Sequence, residues 1–399
     1  MNRELGTSWP WRRSTRGKNS VGIAHLAWVL AATAASAGAA HAATIAPLMP
    51  LFDNGVARSW PTAVSANGSI IAGYSTMQFP LSSEACRWQG GAVVGLGDLP
   101  GQSSPSAGEP GSAAYGMSSS GTSIVGSVDW EYGCEAAEWR GGGLYQVYGY
   151  LPGGDRYGVA RAVSDNGVIV GNSHSALGNE AFRCANFTMI GLGDLPGGAF
   201  DSTANAISAD GSVIAGAGTS AAGREAFLWR NGEMTGLGDL PGGAFGSEAN
   251  AISLDGSTIV GTGTSAGGPE AFIYRNGVMT GLGDLPGGSY YSKAYGVSGD
   301  GSIVVGYSSG GPAFIWDAAH GMRSLRDVLI NDYHLDLMGW ELNNATAISA
   351  DGHTIVGVGF NPYLSGYTMG YVVTLPEPGS LVLLIIGAAM ISKGHEQRI

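Results

Sequence analysis

The feature that most constrains this chain is a set of phrases returning at a nearly fixed interval. A Leu-Pro pair stands at Leu99, Leu151, Leu195, Leu240 and Leu285, at steps of 52, 44, 45 and 45 residues. Self-similarity at a period of this length marks an array of supersecondary units. Two more phrases fall between these pairs. Ser-x-Asp-Gly-Ser-x-Ile-Val-Gly covers 208–216, with close copies starting at Ser253, Ser298 and Ser349 and looser ones at Ser65, Ser118 and Ser164. Glu-Ala-Phe-x-Trp covers 225–229, with variants over 84–88, 135–139, 180–184, 270–274 and 312–316.

Each unit reads as two hairpins. In the fourth copy, residues 206–208 and 212–216 flank Asp210-Gly211, and 225–230 and 233–237 flank Asn231-Gly232. Asn-Gly and Asp-Gly accept the positive φ angles of tight hairpin turns, and β-branched and aromatic residues beside them signal strands. Four short strands in about 45 residues match one propeller blade. The strand count also predicts closure. The seventh strand of the Glu-Ala-Phe type, 370–374, has no fourth strand after it, whereas 44–51 reads as a fourth strand with none before it. Joining them completes a seventh blade and removes two exposed edges. The expectation is an all-β, seven-bladed β-propeller, with a β-solenoid as the alternative.

Composition narrows the partners. Charged residues are 13% of the chain and hydrophobic ones 44%, which with 68 glycines in regular pattern suits a packed repeat fold. A net charge of −12 without a basic patch excludes a phosphate-backbone binder. Cys86, Cys134 and Cys184 allow one disulfide with a free thiol, or none. No Cys/His metal spacing occurs, and neither metal nor cofactor is expected.

The ends carry an address. Residues 1–42 read as a secretory signal: Arg3, Arg12, Arg13, Arg16 and Lys18, an apolar stretch over 21–38, then a small-x-small cleavage site at Ala40-His41-Ala42. The Arg12-Arg13 pair keeps a twin-arginine route open. Repeats then run over 43–375, interrupted by a Ser/Pro/Gly-rich insertion at 102–112 and an extension at 324–344 where a short helix fits. Pro376-Glu377-Pro378 leads into an apolar run at 381–391, short for a span of ~20 residues, and a tail holding Lys393 and Arg398. This reads as a processed terminal anchor.

Taken together, the Gly-Leu-Gly-Asp-Leu-Pro-Gly-Gly, Asp-Gly-Ser-x-Ile-Val-Gly and Glu-Ala-Phe-x-Trp phrases resemble the bacterial extracellular HAF-repeat family over 44–375. The segment 376–399 resembles a PEP-CTERM sorting signal through Pro376, Glu377 and Pro378, although Lys393 and Arg398 replace the usual dense arginine cluster. The resemblance implies a Gram-negative exopolysaccharide producer and an exosortase-type membrane enzyme as partner. It also implies cell-surface or extracellular localisation after tail removal, and no established catalytic activity.

Candidate chemistry is thin. Asp194, Asp239 and Asp284, Glu180, Glu225 and Glu270, and Asp210, Asp255 and Asp300 recur once per unit, which suits turns better than a unique catalytic pair. Such spacing does not cluster the oxygens calcium needs. His174, His320, His334 and His353 scatter among loops without partners at useful spacing. Trp88, Trp139, Trp229, Trp316 and Tyr274 share one repeat position and read as core between units. If the first strand of each blade is innermost, blade-to-blade links and the loops between second and third strands share one face. Tyr74, Phe79, Trp130, Tyr132, Tyr157, Phe200, Phe245, Tyr290, Tyr291, Phe360 and Tyr363 fall on it. Loops on a rigid scaffold commonly carry function. This face is the candidate binding surface for exopolysaccharide or another surface glycan, against the plainer view that the rings fill loop bases. The expected role is structural or binding. The alternative is a secreted glycoside hydrolase or lyase, for which Asp129, Glu131, Asp155 and Arg156 are the non-repeated charged group worth checking.

Overall fold

The strands form where the turn residues allow the chain to reverse. In the computed structural model, which describes residues 42–51, 57–77, 82–98, 111–130, 133–309, 313–364 and 367–376, Asn231 and Asn276 adopt φ of 55° and 51°, and Gly232 and Gly277 follow at 89° and 82°. These are the tight turns the sequence predicts. The Asp-Gly turns differ. Only the glycine is left-handed, as at Gly211 with φ 73°, and the loop is longer, closed by Gly211 N–H to Ser208 C=O and Ser208 N–H to Val213 C=O.

Strand β1 (Thr44–Leu48) opens the fold. Unit one follows as β2 (Arg58–Val64), β3 (Ile70–Met77), β4 (Ser82–Gln89) and β5 (Ala92–Gly95). Unit two is β6 (Ser112–Met117), β7 (Ser123–Trp130), β8 (Gly133–Arg140) and β9 (Gly143–Gly149). Unit three is β10 (Gly153–Val163), β11 (Ile169–Ser175), β12 (Gly178–Ala185) and β13 (Thr188–Gly191). Unit four is β14 (Thr203–Ile207), β15 (Val213–Ser220), β16 (Gly223–Arg230) and β17 (Glu233–Gly236). Unit five is β18 (Glu248–Ile252), β19 (Thr258–Ser265), β20 (Gly268–Arg275) and β21 (Val278–Gly281). Unit six is β22 (Ser292–Val297), β23 (Ile303–Ser308), β24 (Phe314–Asp317) and β25 (Gly321–Ser324). Helix α1 (Leu325–Asn331), capped by the Ser324 hydroxyl, fills the extension with buried Leu325, Val328 and Leu329. Unit seven is β26 (Glu341–Ile348), β27 (Thr354–Phe360) and β28 (Thr368–Thr374).

The protein is all-β, in several antiparallel sheets with almost no helix. Five sheets have four strands, and a sixth joins units two and three through one parallel pair, Tyr157 with Cys134. Strand β1 pairs antiparallel with β28, in register from Thr44–Thr374 to Leu48–Gly370, so unit seven also has four strands. Each first strand lies beside the first strand of the next unit, and β26 lies beside β2. The core is divided among the interfaces: Trp139 is 1% exposed between units one and two, and Phe227 and Phe272, two positions earlier in their repeats, are buried in later ones, with Trp229 and Tyr274 partly buried against those clusters.

A recurrent serine joins the units. Six positions before each Ser-x-x-Gly phrase stand Ser59, Ser112, Ser202, Ser247 and Ser292, with Gly158 and Asn343 at the other two. The buried hydroxyls of Ser112, Ser202, Ser247 and Ser292 accept the N–H of Ala85, Ala181, Ala226 and Ala271 in the preceding unit, each at 2.9 Å. Ser59 accepts Gly370 N–H at 2.9 Å and donates to Leu48 C=O at 2.5 Å, holding β28 and β1 as the other serines hold their neighbours.

Candidate functional site

The position three residues before each Ser-x-x-Gly phrase holds Thr62, Tyr115, Arg161, Asn205, Asn250, Tyr295 and Thr346, polar in every unit. In all seven first strands the ladder skips this residue, as between Ala114 and Gly116 or Ala160 and Ala162. Such a bulge turns a side chain out of the regular pleat. It also explains the glycine ending each Ile-Val-Gly: a Cβ on Gly216 would lie 2.0 Å from the Thr203 carbonyl oxygen.

The short members of this column bridge units. Thr62 donates to Ala114 C=O at 2.9 Å, Asn205 to Ala249 C=O at 2.8 Å, Asn250 to Ala294 C=O at 2.9 Å, and Thr346 to Pro61 C=O at 2.8 Å. The long members do otherwise. Tyr115 stands edge-on to Tyr74 at 6.4 Å, and Tyr74 stacks on Trp60 at 6.3 Å. Arg161 Nε donates to Asn172 at 3.0 Å. Lys293, the only lysine among the described residues, lies 5.5 Å from the Tyr295 ring, and Tyr307 meets Tyr291 edge-on at 6.0 Å. Burial raises the Tyr74, Tyr115 and Tyr295 hydroxyls above the ordinary tyrosine range.

At the turn ends of the first strands a cavity of about 170 Å³ is lined by two residues per unit, an apolar one such as Val64, Ile207 or Ile348 and a second two positions on, such as Ala66, Asp165 or Leu254. Main-chain bonds run around it, including Ala66 N–H to Ser119 C=O, Ala209 N–H to Leu254 C=O and Asp351 N–H to Ala66 C=O. The Asp165 carboxylate on this rim accepts both the N–H and the hydroxyl of Ser119, at 2.8 and 2.6 Å.

The recurring carboxylates are occupied. Asp194 accepts the N–H groups of Leu195, Asp201 and Thr219, each at 2.8 Å, and Asp239 does the same one unit on. Glu180, Glu225 and Glu270 accept the N–H of Gly193, Gly238 and Gly283. The Asp210 carboxyl is pushed down to about 2 by the Ser208 hydroxyl, the Ser212 N–H and the Ser212 hydroxyl. These are turn and link fasteners. Cys86, Cys134 and Cys184 are all free thiols, and burial raises each of them, Cys134 to about 12 and Cys184 to about 11.

The predicted aromatic face divides in two. Phe200, Phe245 and Tyr290 recur at one link position in three units, with their carbonyl oxygens next to Gly178, Gly223 and Gly268 of the preceding unit, and Phe245 and Tyr290 stay exposed. Tyr74 and Tyr157 belong to strands rather than loops; Tyr157 stacks on His174 at 4.5 Å. Phe360 ends β27, and Tyr363, 82% exposed, lies over Gly339. Ala40, Phe79, Glu131, Tyr132, Glu377 and Pro378 lie outside the described residues, as does the side chain of Trp130. Ala42 and Pro376 are the first and last described residues. Asp155 and Arg156 are exposed. Asp155 approaches His174 at 3.9 Å in a pocket of about 240 Å³, where it is the only carboxylate among the described lining residues. Among the described residues no group of three His, Cys, Asp or Glu is placed to hold a metal ion. Sequence reasoning missed Trp60, Tyr115, Arg161, Asn172, Lys293, Tyr295 and Tyr307. Aligning the seven units on their Ser-x-x-Gly serine exposes the polar column and its three long members.

No protein-family model matches the chain, and no curated protein matches it. Among solved structures it is similar to TolB from Acinetobacter baumannii, at 12% identity and a TM-score of 0.38, covering 79% of this chain. The chain spans 65% of the length of that structure.

Proposed function

We propose that the protein is an exported, surface-sorted seven-bladed β-propeller of the HAF-repeat type that binds polysaccharide, or orders it, in or near the exopolysaccharide layer without cleaving it. Residues 1–42 direct export and are removed after Ala42. Residues 376–399 engage an exosortase-type enzyme through Pro376, Glu377 and Pro378, with the apolar stretch as a transient membrane anchor, and the processed protein stays at the cell surface or outside it. Seven blades and ring closure are supported by the β1–β28 pairing, by the first strands following one another back to β2, and by Ser59 matching the serines of the other junctions.

One observation carries the binding role. The recurring carboxylates, such as Asp194 and Asp239, are tied to main-chain N–H groups, whereas the side chains that break the repeat on the first and second strands are aromatic or planar and polar, as at Trp60, Tyr74, Tyr115, Arg161 and Asn172. Flat rings and amides suit the faces and hydroxyls of sugars. The test uses the full chain and exopolysaccharide from the producing strain, following retention of protein on the polymer and the appearance of new reducing ends. Retention without new ends is expected. New ends that vanish on Asp155→Asn or Asp129→Asn overturn this function in favour of a polysaccharide-cleaving enzyme.

A further inference from the structure

The repeat-breaking side chains of units one to three form one sector whose chemistry changes along its length. At one end Trp60 and Tyr74 stack with an interplanar angle of 19°, and Tyr115 closes on them edge-first. The next strand is close by: a Cβ on Gly116 would lie 2.3 Å from the Arg161 carbonyl oxygen. At the other end the Arg161 guanidinium is held through Nε by Asn172, a residue 4% exposed. Asn172 Nδ2 donates to Asn179 at 2.8 Å, and Asn179 Nδ2 to Asp201 at 2.7 Å. This fixes the guanidinium plane, because each amide in the series is itself oriented by the next. Among the described residues the guanidinium makes no other hydrogen bond, so its Nη donors are available to a ligand. Arg161 is also the only charged member of the polar column, a cation on a chain of net charge −12.

A ligand that uses both ends needs an apolar ring face for Trp60 and Tyr74 and a planar anion for Arg161. A neutral sugar offers the guanidinium only single hydroxyl acceptors and no charge, and a simple carboxylate leaves the rings unmatched. Resting on the polysaccharide-binding role above, we propose that units one to three bind a uronate-containing segment of the polymer, with Trp60 and Tyr74 against a sugar ring and the Arg161 Nη pair on a uronate carboxylate.

The experiment titrates the full chain with a hexameric oligouronate from alginate and with the same oligosaccharide after reduction of its carboxyls to alcohols. The native chain is expected to bind the uronate form about tenfold or more tightly, the effect of one hydrogen bond to a charged group. Arg161→Gln removes that preference while binding of the reduced form persists, and Trp60→Ala weakens both forms. Equal affinity for the two forms in the native chain overturns the uronate assignment and leaves polysaccharide binding standing. A preference that survives Arg161→Gln and disappears in Lys293→Gln also overturns it, moving the anion site to unit six. Loss of binding in Phe245→Ala or Tyr363→Ala with Trp60→Ala unaffected overturns the sector and returns binding to the loop rim. Binding of neither form, together with no retention on native exopolysaccharide, overturns both proposals.

Discussion

Replacing Ser59 by alanine tests whether the chain ends are joined as its internal units are. The Ser59 hydroxyl is fully buried, accepts the Gly370 N–H at 2.9 Å and donates to the Leu48 carbonyl at 2.5 Å. Alanine leaves one donor and one acceptor buried without this partner. At about 1–3 kcal/mol for each unsatisfied buried group, the loss is about 2–6 kcal/mol. Ser247, equally enclosed between Ala226 N–H at 2.9 Å and Gly238 C=O at 2.6 Å, gives the internal reference. Ser257, on an exposed turn, gives a control expected within about 0.5 kcal/mol of the native chain. Urea unfolding followed by tryptophan fluorescence measures the three variants, and hydrogen exchange at the Gly370 amide reports the seam directly. Ser59→Ala and Ser247→Ala are expected to match within about 1 kcal/mol, with Gly370 exchange accelerated only in the first. If Ser59→Ala behaves like the exposed control while Ser247→Ala is costly, the junction at β1 and β28 is not held by this serine. If both match the control, the assigned value of the buried hydroxyl is wrong.

Gly216→Ala is expected to cost more than about 3 kcal/mol, or to prevent folding, because a Cβ at 2.0 Å from a backbone carbonyl oxygen forces the first strand away; a small shift in melting temperature would refute the close approach. The carboxyls of Asp210 and Asp255 are lowered in the folded state, first by the Ser208 and Ser253 hydroxyls, so their contribution is present above the unfolded value near 4 and is lost as pH falls through their lowered folded-state values, about 2 for Asp210. Melting temperature should drop over that window, and the double Asn variant should show a shallower drop. The raised thiols of Cys86, Cys134 and Cys184 should react slowly with a thiol-directed disulfide reagent at pH 8 and promptly in urea; fast labelling of the native chain would contradict their burial.

The sequence alone determined the strand content, the repeat period and most turns, because these depend on residues close together in the chain. Asn231-Gly232 forms a two-residue turn wherever it stands, since its φ preferences are local. The role of Trp139 between units was legible for a related reason: a large aromatic recurring once per unit has few places to go other than an interface. The matching half-units at 44–48 and 370–374 were equally legible, because an unpaired edge in one implies a partner for the other. Tertiary structure alone decided what the recurring glycines and serines do. Gly216 proves to be room for a carbonyl oxygen, and Ser247 proves to be a buried staple. It also brought out a further candidate surface on the first and second strands, where one bulge per unit turns a polar column out of the pleat. That arrangement depends on how a first strand pairs with the second and on which unit lies beside it, contacts separated by some 40 residues or more, as from Asn205 to Ala249. A local pattern cannot encode such a neighbour until the units are laid side by side.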